Sequence, residues 1–222
     1  MKISNGVKLL NQPDNSQELI IINLARFLFA GLIIFELLNY LKILKLNTQF
    51  TWLGLLITTI FCLALLEFTA IKFREKKGYQ LHWSIWLIVL ASLSLDAFGD
   101  FFHLYGKFIW WDQLAHFFVS AVTCFTLFIV FNAFWIDKFK FVLLLKTGRF
   151  KLSLFLAATA TMTLSALYEI EEYLEDVLFK TNRLGPGVDT ADDLTFNLAG
   201  VSLIVIFLSL YYLKTHRRKI LA

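Results

Sequence analysis

Residues 111–136 read WDQLAHFFVSAVTCFTLFIVFNAFWI. Two ionisable side chains, Asp112 and His116, open the stretch, and no charged residue follows until Asp137. About 20 apolar residues in helical form cross the hydrocarbon core of a bilayer. The stretch therefore reads as a transmembrane helix with a charged mouth. Five further runs share its length and polarity, giving spans over residues 19–41, 52–71, 81–99, 112–136, 152–174 and 194–213. The fold class expected is all-α: a polytopic integral membrane bundle of six transmembrane helices.

The composition of the 222 residues agrees. Hydrophobic residues make up 58% and charged residues only 17%, with a mean hydropathy of +0.67. A soluble domain carries roughly 45–50% apolar and about 25% charged residues. Twenty-four phenylalanines and two prolines favour long, unbroken helices facing lipid. A soluble enzyme, a nucleic-acid-binding module, a disulfide scaffold and a disordered chain are excluded on these grounds. Cys62 and Cys124 both fall inside apolar runs and read as free, buried thiols. Residues 1–18 are polar and no A-x-A site follows the first span, so that span reads as retained and not as a cleaved leader. No repeat or linker divides the chain, which is read as a single membrane domain, 1–222.

Charge sets the expected orientation. Fifteen Lys and Arg residues flank one side: Lys2 and Lys8, then Lys72, Arg74, Lys76 and Lys77, then Lys138, Lys140, Lys146, Arg149 and Lys151, and finally the tail with Lys214, Arg217, Arg218 and Lys219. Five lie on the other (Lys42, Lys45, Lys107, Lys180 and Arg183), with Arg26 inside the first span. The positive-inside rule then places the N-terminal segment 1–18, the basic tail 214–222 and both termini in the cytoplasm. Carboxylates run the opposite way. Asp96, Asp100, Asp112, Glu169, Glu171, Glu172, Glu175, Asp176, Asp189, Asp192 and Asp193 gather at the extracytoplasmic ends of spans, with His103 and His116 among them. The positive-inside rule asks only for few cations there, so this acidic cluster needs another cause.

Helical phase supplies one. Positions three and four apart share a face. Asp96, Asp100 and His103 form one stripe, and Asp112 and His116 another. Ser165, Glu169, Glu172 and Asp176 form a third, with Glu171 and Glu175 nearly opposite and read as solvated, like Asp192. Asp189, Asp193, Asn197 and Gly200 form the fourth. Ionisable groups at membrane depth face a bundle interior or a wet cavity, so four stripes turned inward make one shared site. Carboxylates so close together need protons or a cation. Oxygen ligands with one or two imidazoles suit Mg, Mn, Ca, Zn or Fe. Asp112, His116, Glu169, Glu172, Asp189 and Asp193 are the expected metal ligands, lined further by Asp96, Asp100, His103, Asp176 and Asn197.

Other readings stand beside this one. Asp112 and Asp189 also occupy positions where a carboxylate caps a helix. Arg26 and Glu67 are placed to pair with each other, His82 is interfacial, and Trp110, Trp111, Tyr105 and Tyr168 fit an aromatic belt. The tracts Trp111–Phe118, Ser165–Glu172 and Asp189–Asp193, followed by Gly200, resemble the YjdF-like family of bacterial inner-membrane proteins. More loosely they are similar to the VanZ-like membrane proteins. The resemblance covers roughly residues 85–210 and implies shared polar positions at Asp112, His116, Glu169, Glu172, Asp189 and Asp193, but no activity. The sequence thus leads to a metal-dependent hydrolase or transferase acting on a lipid or lipid-linked substrate, with membrane lipids as surroundings and no nucleic-acid partner. A cation- or proton-binding transport protein and a non-catalytic envelope or partner-binding protein are the alternatives.

Overall fold

The computed structural model describes residues 16–48, 51–108, 110–135, 149–181, 183–185 and 187–220, with the main chain alone at 135 and 215–220. Among the sequence expectations, residues 1–15, Lys138, Lys140, Lys146 and the side chains of Arg217, Arg218 and Lys219 lie outside the described residues. The elements are all helices: α1 (Ser16–Tyr40), α2 (Trp52–Lys77), α3 (Trp83–Phe101), a single turn α4 (Leu104–Lys107), α5 (Trp110–Trp135), α6 (Phe150–Phe179) and α7 (Asp189–Ile220). No strand occurs among the described residues. Six of the helices are long and apolar enough to cross a membrane: Ser16–Tyr40, Trp52–Lys77, Trp83–Phe101, Trp111–Phe134, Phe150–Phe179 and Asp189–Lys214. The expected bundle of six spans is present, with each helix running somewhat past its apolar stretch.

Local chemistry explains several of the boundaries. Thr51 caps α2 by accepting a hydrogen bond from the Leu53 amide (3.0 Å), and Gly78 ends it in the left-handed conformation at φ 76°. His82 caps α3, its ring nitrogen meeting the Ser84 amide and hydroxyl. His103, at φ 56°, reverses the chain between α3 and α4. Lys180 ends α6 in the same left-handed conformation, its amide donating to the Asp176 carbonyl.

Successive spans run antiparallel. Phe150, at the start of α6, stacks on Tyr212 near the end of α7 (4.4 Å between ring centres). Arg26 of α1 donates to both carboxylate oxygens of Glu67 of α2 (2.5 and 2.8 Å) and lies over the Trp86 ring of α3, so that sequence expectation holds. The basic end of the bundle therefore holds the start of α1, Lys72–Lys77, the start of α6 and the end of α7. The acidic end holds Asp96–Asp100, Asp112–His116, Glu169–Asp176 and Asp189–Asp193.

Packing differs between the two ends. Ile22, Phe29, Phe73, Trp86, Phe128 and Leu208 are among the buried residues of one apolar core drawn from all six spans, and it occupies the basic half. Helices α5, α6 and α7 pack closely together, as do α1 and α2, while α2 meets α5 and α6 only sparsely. Gly200 permits the α5–α7 approach, since a Cβ there would meet the Phe117 carbonyl and the Ala121 amide. The many exposed apolar side chains, such as Phe27, Phe68, Phe155 and Leu210, clothe the outside of the bundle, as a helix surrounded by lipid requires. Cys62 and Cys124 are free, as expected; Cys124 is buried, whereas Cys62 is only half-buried.

Candidate functional site

Between the sparsely touching helices lies a cavity of about 560 Å³. At the acidic end it is walled by Asp96 and Asp100 of α3, Tyr105 of α4, Asp112 and His116 of α5, Tyr168, Glu171 and Glu172 of α6, Arg183, and Asp189, Asp193 and Asn197 of α7. These groups form two centres.

His116 is the middle of the first. Its Nε2 lies 3.5 Å from Asp112 Oδ1 and 3.6 Å from Asp193 Oδ1. One ligand atom from each of the three residues falls within 4.8 Å of the others. These separations are long for hydrogen bonds. They suit co-ligands of one ion, since atoms about 2.1 Å from a tetrahedral centre lie roughly 3.4 Å apart. Asp193 is only 3% exposed, and its Oδ1 makes no hydrogen bond among the described residues. Glu169, 4% exposed, has both carboxylate oxygens in the same condition and acts electrostatically on His116.

A polar chain supports the imidazole from behind. His116 Nδ1 lies 3.2 Å from the Asn197 side-chain nitrogen, Ser120 Oγ bonds Asn197 Oδ1, and Ser120 lies 3.4 Å from Ser165 Oγ. With the amide in this sense Nδ1 accepts and Nε2 carries the proton. Turning the amide over, a rotation that X-ray density itself rarely distinguishes, lets Nδ1 donate to the carbonyl and frees the Nε2 lone pair. That second arrangement is the usual support of a metal-bound histidine.

Arg183 is the middle of the second centre. It comes from the connection between α6 and α7 yet is only 8% exposed. Its guanidinium donates to Glu172 Oε1 (2.9 Å), Glu175 Oε2 (3.2 Å) and the Tyr168 hydroxyl (2.6 Å), with Glu171 Oε2 at 3.9 Å. Asp176 holds the connection in place, accepting from the amides of Arg183 (2.8 Å) and Leu184 (3.0 Å) and from the Thr181 hydroxyl. Gly54 of α2 leaves the room, because a Cβ there would run into the guanidinium. Burial works against the charged guanidinium, but Tyr168, Glu172, Glu171 and Asp96 around it raise its affinity for the proton further. Tyr105 donates to Asp96 Oδ1 (2.6 Å). Burial first, and Asp96 next, push its phenol well above the usual range.

The chain was compared with known proteins. Residues 24–214 match the family described as predicted membrane protein (DUF2238). The chain belongs to that family. The match runs from within α1 to the end of the sixth span, and the description places the family in a membrane without assigning an activity. No curated protein and no solved structure matches the chain.

Of the residues expected from sequence, the structure brings Asp112, His116 and Asp193 together, with Asn197 and Glu169 against them. Asp96, Asp100, Glu172 and Asp189 also line the cavity. Asp189 is the first residue of α7, and Asp112 lies within the first turn of α5 without being its cap. In those turns the positive end of the helix dipole favours a carboxylate. Glu172 faces Arg183 rather than His116. Asp176 organises the connection instead of lining the cavity, and His103 is taken up by the chain reversal.

Two expectations are corrected. Glu171 and Glu175 are not solvated: Glu175 is buried, and both face Arg183. Glu169, Glu172 and Glu175 are all buried at this end of α6, and the buried arc is wide because α5 and α7 flank one side and Arg183 and α2 the other. Sequence reasoning left out Arg183, Tyr168 and Tyr105 as site residues. The available signal was a single arginine seven residues after the acidic run ending at Asp176.

Proposed function

We propose that this integral membrane protein is a metal-dependent hydrolase or transferase acting on a lipid or lipid-linked substrate. The observation that carries this reading is the geometry of Asp112, His116 and Asp193: three ligand atoms within 4.8 Å of one another, with the His116 Nε2 at 3.5 and 3.6 Å from the two carboxylates, on the wall of a cavity. A divalent ion, Mg, Mn, Ca, Zn or Fe, would be held by these three side chains. Such an ion polarises a phosphoryl or acyl oxygen and lowers the pKa of a bound water. Glu169, buried beside the ligands with no hydrogen-bond partner among the described residues, would act as general base. Glu172 and Asp189, further apart, shape the charge of the mouth.

Two features weigh against the alternatives. A transport path needs polar groups along the whole bundle, whereas the deep end of the cavity is lined by apolar core residues such as Leu66, Ile85 and Val130. A structural network would leave its carboxylates paired, whereas Asp193 Oδ1 and both oxygens of Glu169 make no hydrogen bond among the described residues. The charge asymmetry supports a bacterial inner membrane location with the acidic end extracytoplasmic and both termini cytoplasmic.

The test is metal content by elemental analysis, on protein purified without chelator, beside a His116→Ala, Glu169→Ala double variant. About one ion per chain is expected in the wild type and none in the variant. Absence of metal from the wild type after reconstitution with Mg²⁺, Mn²⁺ and Zn²⁺ would sink the reading.

A further inference from the structure

The cavity does not stop at the polar centres. From Asp112 the α5 wall continues along one face through His116, Val119, Thr123, Thr126 and Val130, about 27 Å at 1.5 Å per residue. That is most of a bilayer's hydrocarbon thickness. Past His116 and Asn197 the lining is apolar apart from hydroxyls and the Cys62 thiol, and Leu66, Ile85 and Val130, members of the apolar core, lie along its deep end. The cavity is also open sideways. Ile57, Phe61 and Leu65 of α2 and Leu167 of α6 line it and are exposed on the outside of the bundle as well. Access therefore lies between α2 and α6, on the surface that faces lipid.

We infer that the cavity binds an acyl chain of an amphiphile with an uncharged head, the head at Asp112, His116 and Asp193 and the chain along α5 toward Val130. This rests on the proposed function for its chemistry and names its substrate class. The length of the α5 wall and its apolar deep end suit a long acyl chain. Charge selects the head. Seven lining carboxylates (Asp96, Asp100, Asp112, Glu171, Glu172, Asp189 and Asp193) face Arg183 and His116, so an anionic head meets like charge. A hydroxyl or ester oxygen meets no such penalty and still offers a lone pair to an ion.

Binding of the chain does not need the metal, so the experiment uses metal-free protein in nanodiscs. The probe is a sixteen-carbon 1-monoacylglycerol with a diazirine near its chain end, and photolabelled residues are mapped by mass spectrometry. Label is expected inside the cavity near Leu66 and Leu127, above a background on outward residues such as Phe155 and Phe207. Thr126→Trp, with Val122→Trp as a second variant should the first not fold, is expected to cut the interior label about tenfold, the equivalent of 1.4 kcal/mol, and to leave the outer label unchanged. Label confined to the outside, or interior label unaltered in both folded variants, overturns the proposal. Unlabelled monoacylglycerol is expected to compete at least about tenfold better than the free fatty acid of the same length. Equal competition by the fatty acid overturns the head assignment. Interior labelling in a protein that never binds metal would count against the enzyme reading alone.

Discussion

Arg183 and His116 solve the same problem in different ways. Each sits among carboxylates at the edge of an apolar bundle, where an uncompensated charge is costly. Arg183 answers with directed hydrogen bonds to Glu172, Glu175 and Tyr168. A guanidinium is suited to this because its donors are fixed in a fork. His116 has two carboxylates beside Nε2 at the longer separations of 3.5 and 3.6 Å, which leaves the space between them for a ligand. The arginine centre is therefore closed and the histidine centre open. Removing the arginine should be severe: breaking a buried ion pair from one side costs about 3–5 kcal/mol. Arg183→Ala is expected to lower the melting temperature sharply, and Arg183→Met combined with Glu172→Gln and Glu175→Gln to recover much of the loss. A melting temperature unchanged in Arg183→Ala would show that the buried pairs contribute little.

At the scale of elements, two glycines set how closely helices approach. Gly54 faces the far end of a flexible side chain, that of Arg183, whereas Gly200 faces backbone, the Phe117 carbonyl and Ala121 amide. A side chain can move aside; a helix must be displaced. Overpacking of a tight contact costs about 1–3 kcal/mol, so Gly200→Ala is expected to lower thermal stability more than Gly54→Ala, measured in one detergent. The reverse order would mean that α5 and α7 yield easily. Much of this architecture was legible beforehand. The six spans follow from unbroken apolar runs, and the Asp112–His116 and Asp193–Asn197 stripes from helical phase, because both pairs are four apart on regular helices. The role of Glu171 and Glu175 was not legible. Phase gives the direction of a side chain but not which neighbour stands there, and their neighbour arrives from a connection with no periodicity. The cavity below His116 was hidden for a related reason, since an apolar wall around a void and an apolar wall in a packed core have the same composition.

For the whole molecule, the antiparallel order puts the start of α1, Lys72–Lys77 and the end of α7 at one end and both polar centres at the other. Orientation in the membrane then follows from a single experiment. In a Cys62→Ser, Cys124→Ser background, a cysteine at Lys107 is expected to react with an impermeant maleimide in intact cells, and one at Lys76 only after the membrane is opened. The opposite pattern would turn the site toward the cytoplasm and remove extracytoplasmic substrates from consideration.

The partners of Arg183 lie only 8, 11 and 15 residues before it in the chain, whereas Asn197 stands 81 residues from His116 and 77 from Ser120. Contacts between near neighbours close with less entropy lost than distant ones. During biogenesis, α6 and the turn that follows it can leave the insertion machinery as a hairpin already neutralised at its tip, needing no help from earlier helices. The trio of Asp112, His116 and Asp193 has no such shortcut, because it exists only once α7 has docked on α5. Occupancy of that trio would therefore mark the last step of maturation, and a chain stalled before docking would be recognisable in the cell as stable at its turn but empty at its centre.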